Sequence, residues 1–279
     1  MTVAISCNLS DGVILGVDSA TTVSEPSGVV KVYEKADKLF QLSKLPIGIA
    51  TYGLGARLGR SVGSYLREFE LLNPNSVLGG KNSVGDVVEE LRMFFRTIYI
   101  STLAPAIAKE KGKAFEEIPR EELPSLGFVV GGFSANSFLS EVWNIEIPFH
   151  GTKGSAMQRK NPGDFGTDWF ALYEPIQRYF KDYSLKLLDE VIGYFVQKRG
   201  SGLTPQEETD IQNVLGKYEY QVPYFAMPIR EGIEHVRFLV SMVVNHHRFA
   251  VGAPVVGGNV NIGLVTYKGE QFQILSGER

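Results

Sequence analysis

Apolar and polar residues fall into two periods along this chain. Val3-Ala4-Ile5-Ser6-Cys7 leads to a turn composition at Asn8-Leu9-Ser10-Asp11-Gly12. A second apolar run, Val13-Ile14-Leu15-Gly16-Val17, then ends at Asp18-Ser19. Two such runs about a tight turn predict a β-hairpin. A loop with Pro26 and Gly28 follows, then a short strand at Val29–Tyr33. Leu39-Phe40-Gln41-Leu42 alternates like a strand, and Pro46–Tyr52 reads as another, ending in Gly53-Leu54-Gly55. The first third is therefore expected to be a β-meander of four or five strands.

The period then becomes helical. Leu58, Val62, Tyr65, Leu66 and Phe69 share one side of a helix expected over Ala56–Leu72, stopped by Asn73-Pro74-Asn75. A second helix is expected from Ser83, its N-cap, to about Ala108, with Asp86 in the first turn. Lys109 to Glu122 reads as a solvated connection. Leu126–Phe133 and the alternating Glu141–Ile147 should pair as strands, and His150–Gly166 reads as irregular. Thr167–Val196 has an amphipathic helical pattern, and Thr204-Pro205 suits an N-cap followed by Pro at the first helical position. A last helix over Met227–Phe249 precedes a closing hairpin of Val260–Tyr267 and Phe272–Leu275. Strands, helices, strands, helices, strands predict an α+β fold of one domain, 1–279. Two antiparallel sheets flanked by helices would form a four-layer αββα sandwich, with an insertion at about 201–224.

Composition narrows the function. The 279 residues are 44% apolar, enough for a large core, and the net charge of −3 argues against general nucleic-acid binding. No run approaches the roughly 20 apolar residues of a membrane span. The start shows no basic region followed by an apolar one, and Cys7 is the single cysteine. A cytoplasmic setting is expected, with Cys7 as core. No Cys/His cluster has metal-ligand spacing; His246 and His247 are adjacent, so a helix turns them to different faces. No cofactor or metal is expected.

The candidate chemistry lies at the start. Loss of Met1 would leave Thr2 with both a hydroxyl and an α-amine. An α-amine titrates near ~7.7–8.0, so it can act as the base that a Thr hydroxyl needs to become a nucleophile. Asp18 stands sixteen residues on, and Lys38 just before an alternating strand. A Lys ammonium beside the Thr oxygen would stabilise the forming alkoxide, and a nearby carboxylate would keep that Lys charged.

These stretches carry a resemblance. Thr2-Val3-Ala4-Ile5, Asp11–Ser19, Lys35–Leu42 and Ile49–Gly55, with Phe128–Gly132 and Gly257–Thr266 later, resemble the proteasome β-subunit family of N-terminal-nucleophile hydrolases. That family includes bacterial proteasome-like, HslV-like and ancestral-β-subunit-like members. The resemblance implies a threonine peptidase with Thr2 as nucleophile, Asp18 and Lys38 beside it, Gly53 giving an oxyanion N–H, and Thr22 pairing with an extended substrate strand. An oxyanion donor is worth about 2.7–4 kcal/mol, and strand pairing gives sequence-tolerant binding. It also implies a self-compartmentalised homo-oligomer, ring or helical stack, acting on peptides or unfolded protein with an ATP-dependent unfoldase as partner. Tyr52 and Gly55 are candidate pocket residues.

Two departures stand against it. Val251–Gly258 lacks the Asp and Ser that active members carry there, and the family's Ser in the later Gly-rich loop has no counterpart. Asp164, Thr167 and Asp168 are the candidates to stand in. A catalytically silent structural subunit and an amidase of small amides are therefore the alternative functions.

Overall fold

The structure, a computed structural model, describes residues 2–25, 28–42, 45–54, 60–72, 83–135, 137–148, 154–251, 256–267 and 273–276. The predicted first hairpin is present as β1 (Val3–Leu9) and β2 (Gly12–Asp18), registered from Ala4 opposite Val17 to Leu9 opposite Gly12. Every residue of both strands is buried, which accounts for runs that are apolar on both faces rather than cleanly alternating. They are central in an antiparallel sheet of order β10-β1-β2-β11-β12, with β10 at Gly166–Ala171, β11 at Val260–Thr266 and β12 at Gln273–Ser276.

Five further strands make a second antiparallel sheet in sequence order: β5 (Leu39–Gln41), β6 (Ile47–Gly53), β7 (Leu126–Gly132), β8 (Glu141–Ile147) and β9 (Ser155–Lys160). Val13, Leu15 and Val17 of the first sheet pack with Ala50, Tyr52 and Val129 of the second in one buried cluster. The outer face of the first sheet carries helix α7 (Ile229–Phe249). Gly16 is required there, because a Cβ would collide with the Val236 side chain. The outer face of the second sheet carries α1 (Val62–Leu72) and α2 (Val84–Ile98), whose apolar stripe meets Phe128 and Ile145. The Phe95 ring lies 4.4 Å from that of Phe128, centroid to centroid. Phe95 is fully buried, so Phe95→Ala should destabilise the chain by about 3–5 kcal/mol. Urea unfolding should show a lower midpoint at unchanged slope.

Ser83 caps α2, its hydroxyl accepting the Asp86 N–H. The chain then stays helical through a π turn, Tyr99–Leu103, into α3 (Ala104–Lys111). Pro105 supplies the reason: it has no N–H to give Ser101, and the Ala104 N–H reaches back to the Tyr99 carbonyl instead. The charged connection after it is not wholly solvated, since Phe115 and Ile118 are buried against the helices.

Three expectations need correction. The first third is not one meander: β1 and β2 lie in one sheet, β5 and β6 in the other, and β3 (Thr21–Glu25) pairs with β4 (Gly28–Tyr33) as a separate two-stranded ribbon. His150–Gly166 is not irregular throughout, because Ser155–Lys160 forms β9. The helix expected over Thr167–Val196 begins as strand β10, paired with β1 from Asn8–Gly166 to Val3–Ala171. An edge of β1 left open would leave a row of backbone groups unpaired, and pairing them outweighs the local helical period. Leu58, Gly55, and the stop at 73–75 lie outside the described residues.

Contacts separate a compact helical unit, Tyr173–Pro223, from the remainder. It starts well before the expected insertion point and holds α4 (Glu174–Lys181), α5 (Leu185–Arg199) and α6 (Pro205–Leu215). Thr204 and Glu207 form the predicted start of α6 as a full capping box. Within the unit, Lys181 Nζ lies 2.8 Å from a Glu219 oxygen.

Candidate active site

Asp18 is the last residue of β2 and has no solvent exposure. A buried carboxylate must have its oxygens satisfied. Here Oδ1 accepts the Val3 N–H at 3.1 Å, and Oδ2 accepts those of Ala20 and Gly257 at 3.2 Å each. The fourth partner is Lys38, whose Nζ lies 2.9 Å from Oδ1.

Lys38 immediately precedes β5, and its carbonyl accepts the Thr51 N–H of β6 at 2.9 Å. The backbone of the second sheet thereby aims its side chain at the first. Its Nζ also donates to Thr2 Oγ1 at 3.0 Å. Thr2 is held in turn just past the end of β10, its carbonyl accepting the Leu172 N–H at 3.1 Å. Residues 2, 18 and 38, set in three separate stretches, thus meet at one ammonium. All three are buried.

Burial lowers the Lys38 pKa below the ordinary lysine value, and the Asp18 charge and hydrogen bond oppose that shift without cancelling it. The result is an ammonium beside a hydroxyl, weaker in its hold on the proton than a surface lysine. Such a group stabilises an alkoxide on the Thr oxygen. Cys7, the other nucleophile nearby in sequence, is buried and its thiol is pushed up to about 11, so it is core and not thiolate.

Other expected residues fall differently. Gly53 ends β6, two residues past Thr51, with φ +82. A Cβ there would collide with the Ser125 carbonyl, so the turn alone demands glycine. Thr22 lies on β3 opposite Val32, its hydroxyl oxygen buried with no partner among the described residues. Tyr52 is buried, stacked on Phe170 with centroids 6.0 Å apart, and its hydroxyl donates to Asn144 at 2.9 Å.

The stand-ins for the missing Asp and Ser are remote from Thr2. Asp168 lies opposite Ser6 and Thr167 opposite Cys7. Ser6 is four positions from Thr2, roughly 13 Å at strand rise. Asp168 faces Arg159 and Lys160 instead, at 3.2 and 3.5 Å. Asp164 accepts the Asn161 N–H at 3.1 Å within a turn. None of these three residues has a contact with Thr2 among those of the described residues.

Two contributors escaped sequence reasoning. Gly257 grips Asp18 through its N–H, and its carbonyl accepts the N–H groups of Ser19 and Ala20 at 3.2 and 3.0 Å. Ser19, which reads as a loop residue, is only 2% exposed and tied by side chain and backbone alike. The pair Gly257-Gly258 was the available signal: Gly258 has φ +73, and a Cβ there would strike the Ser19 hydroxyl.

Solved structures share this chain path. Anbu (ancestral beta-subunit) from Yersinia bercovieri superposes with a TM-score of 0.54, covering 99% of this chain and 88% of that one at 10% identity. A mutant of Anbu from Hyphomicrobium sp. strain MC1 gives 0.53, covering 100% and 88%, again at 10% identity. The fold is proteasome-like. No protein-family model matches the sequence, and no curated protein matches it. An identity this low carries the fold and leaves the chemistry to the residues. Among the described residues, no helix is long and apolar enough to cross a membrane.

Proposed function

We propose that this chain is a threonine peptidase in which Thr2, freed at its amine by removal of Met1, attacks a peptide carbonyl. The observation that carries the reading is Lys38 Nζ within hydrogen-bond distance of both Thr2 Oγ1 and Asp18 Oδ1. The Thr2 hydroxyl proton passes to the α-amine as Oγ1 bonds to the carbonyl carbon. The Lys38 ammonium, kept charged by Asp18, holds the charge of the forming alkoxide, and the Gly53 N–H faces the oxyanion. Collapse expels the leaving amine with that proton and leaves an ester on Thr2. Water, deprotonated by the freed α-amine, then releases the acyl group. Thr22 would pair with the substrate backbone as an added strand. The four-layer αββα sandwich, a cytoplasmic homo-oligomer enclosing the site, and an unfoldase that feeds it complete the proposal.

The test is labelling by a β-lactone or a peptide boronate, read by mass spectrometry of the purified protein. The expected result is a chain lacking Met1 with the label on Thr2. An active preparation that keeps Met1 would exclude the mechanism. A second reading has its own observation: the groups near the Thr amine in active members have no counterpart at Asp164, Thr167 or Asp168. A silent structural subunit would leave Thr2 unlabelled. A small-amide amidase would label and would cleave small acyl amides in preference to peptides.

A further inference from the structure

We infer that Ser19 is a positioning residue for the Lys38–Asp18 pair, an inference that rests on the peptidase reading for its kinetic consequence. Its hydroxyl donates to the Glu34 carbonyl and accepts the Asn259 N–H at 2.7 Å. Its carbonyl accepts the Ala36 N–H at 2.8 Å, and its N–H reaches the Gly257 carbonyl at 3.2 Å. One residue therefore joins three segments. The first is the end of β2, which carries Asp18. The second is the run 34–36, which leads directly into Lys38. The third is the loop whose Gly257 N–H holds Asp18 Oδ2.

The pairing of Thr21 with Tyr33 in the β3–β4 ribbon also ties the 34–36 run to the end of β2, and Ser19 makes the tie at the residue next to Asp18 itself. The backbone of Lys38 is tied to β6 through Thr51, within the second sheet, whereas Asp18 belongs to the first. The ion pair spans the two sheets, and Ser19 sets the spacing of its two arms. Gly258 lies against both the Ser19 hydroxyl and the Glu34 carbonyl that it bonds, and a Cβ there would strike both. A hydroxyl buried with both its donor and acceptor used is costly to lose, because the Asn259 N–H is then left without that partner.

Ser19→Ala should loosen Lys38 from Asp18 while Thr51 keeps Lys38 in its buried place. With less of the carboxylate's support, the Lys38 titration midpoint should fall by about half a pH unit or more. That midpoint is measured by NMR with 13C-labelled lysine, the signal assigned with Lys38→Met. In β-lactone labelling, kinact should fall roughly tenfold to a hundredfold with KI little changed. Ser19→Thr, which keeps the hydroxyl, should restore both quantities. If Ser19→Ala does not fold, Ser19→Cys takes its place, a similar shape with a weak hydrogen-bonding group. An unchanged or raised Lys38 midpoint overturns the inference. So does a loss of labelling that appears in KI alone. If the wild type itself is not labelled, the peptidase reading fails, and the Lys38 midpoint still decides the role of Ser19.

Discussion

Thr2→Ala should abolish hydrolysis and covalent labelling while the chain folds normally. The side chain removed is the proposed nucleophile, and Cys7 cannot replace it, being buried, held as a thiol, and five residues along the strand. Loss of a nucleophile typically costs on the order of 10³-fold or more in rate. The stability cost is small by comparison. Thr2 contributes one side-chain hydrogen bond from Lys38, and its backbone bond to Leu172 is unaffected. The Lys38 ammonium keeps Asp18 as its partner. Thr2→Ser retains the hydroxyl and should retain most activity. The comparison needs only a fluorogenic peptide or the β-lactone, with thermal unfolding measured alongside. Undiminished hydrolysis by Thr2→Ala would end the proposal.

Asp18→Asn separates electrostatics from nucleophilicity. Lys38 is then a buried ammonium without a counter-charge, and removing one partner of a buried pair typically costs about 3–5 kcal/mol. The sign of the pH effect follows from the direction of the Lys38 shift. Its folded-state pKa already lies below the ordinary 10.5 because burial outweighs Asp18. The ammonium is present below the folded-state pKa and lost as pH rises through it, which sets an alkaline limb on activity below pH 10.5. Without Asp18 burial acts with less opposition, so that limb moves to lower pH. Stability moves the other way. The unfolded chain holds the Lys38 proton more tightly than the folded one, so stability rises with pH between the folded-state and unfolded values. The variant should therefore lose most stability at neutral pH and regain part of it in alkaline buffer. The pH profile of labelling, with urea midpoints at two pH values, checks both. An alkaline limb unmoved by Asp18→Asn would remove Asp18 from the site's electrostatics.

Lys38→Met and Asp18→Asn should also differ in kind. Lys38→Met leaves Asp18 with three amide donors, from Val3, Ala20 and Gly257, so the carboxylate is still largely satisfied. Asp18→Asn leaves the ammonium with the Thr2 hydroxyl and a neutral amide, without a counter-charge. The carboxylate side of the pair is built into backbone; the cationic side depends on the carboxylate.

Much of the architecture was legible in the linear pattern, where period and punctuation agree. The β1–β2 hairpin is two apolar runs about a turn, and α7 is a regular apolar stripe whose inner residues, Val236, Leu239, Val240 and Val243, are all buried. Thr204-Pro205 with Glu207 specified a helix start by local chemistry alone. The trio of residues 2, 18 and 38 stood out through the stretches that resemble N-terminal-nucleophile hydrolases, because by pattern alone an Asp after a strand and a Lys before one read as turn and solvated residues.

What the chain alone could not decide was where strands find partners and what surrounds a buried charge. Thr167–Ala171 has a helical period yet becomes a strand, because the free edge of β1 offers it a full ladder of hydrogen bonds. The β-meander dissolved into two sheets for a related reason: strands adjacent in sequence pair only if the intervening chain lets them, and the β3–β4 ribbon carries the chain from one sheet to the other. Ser19 and Gly257 lie 238 positions apart and meet only through the pairing of β2 with β11. Local pattern records the propensity of a few neighbouring residues. Satisfaction of a buried carboxylate or of an open strand edge is a condition on the whole fold, and only the folded chain meets it.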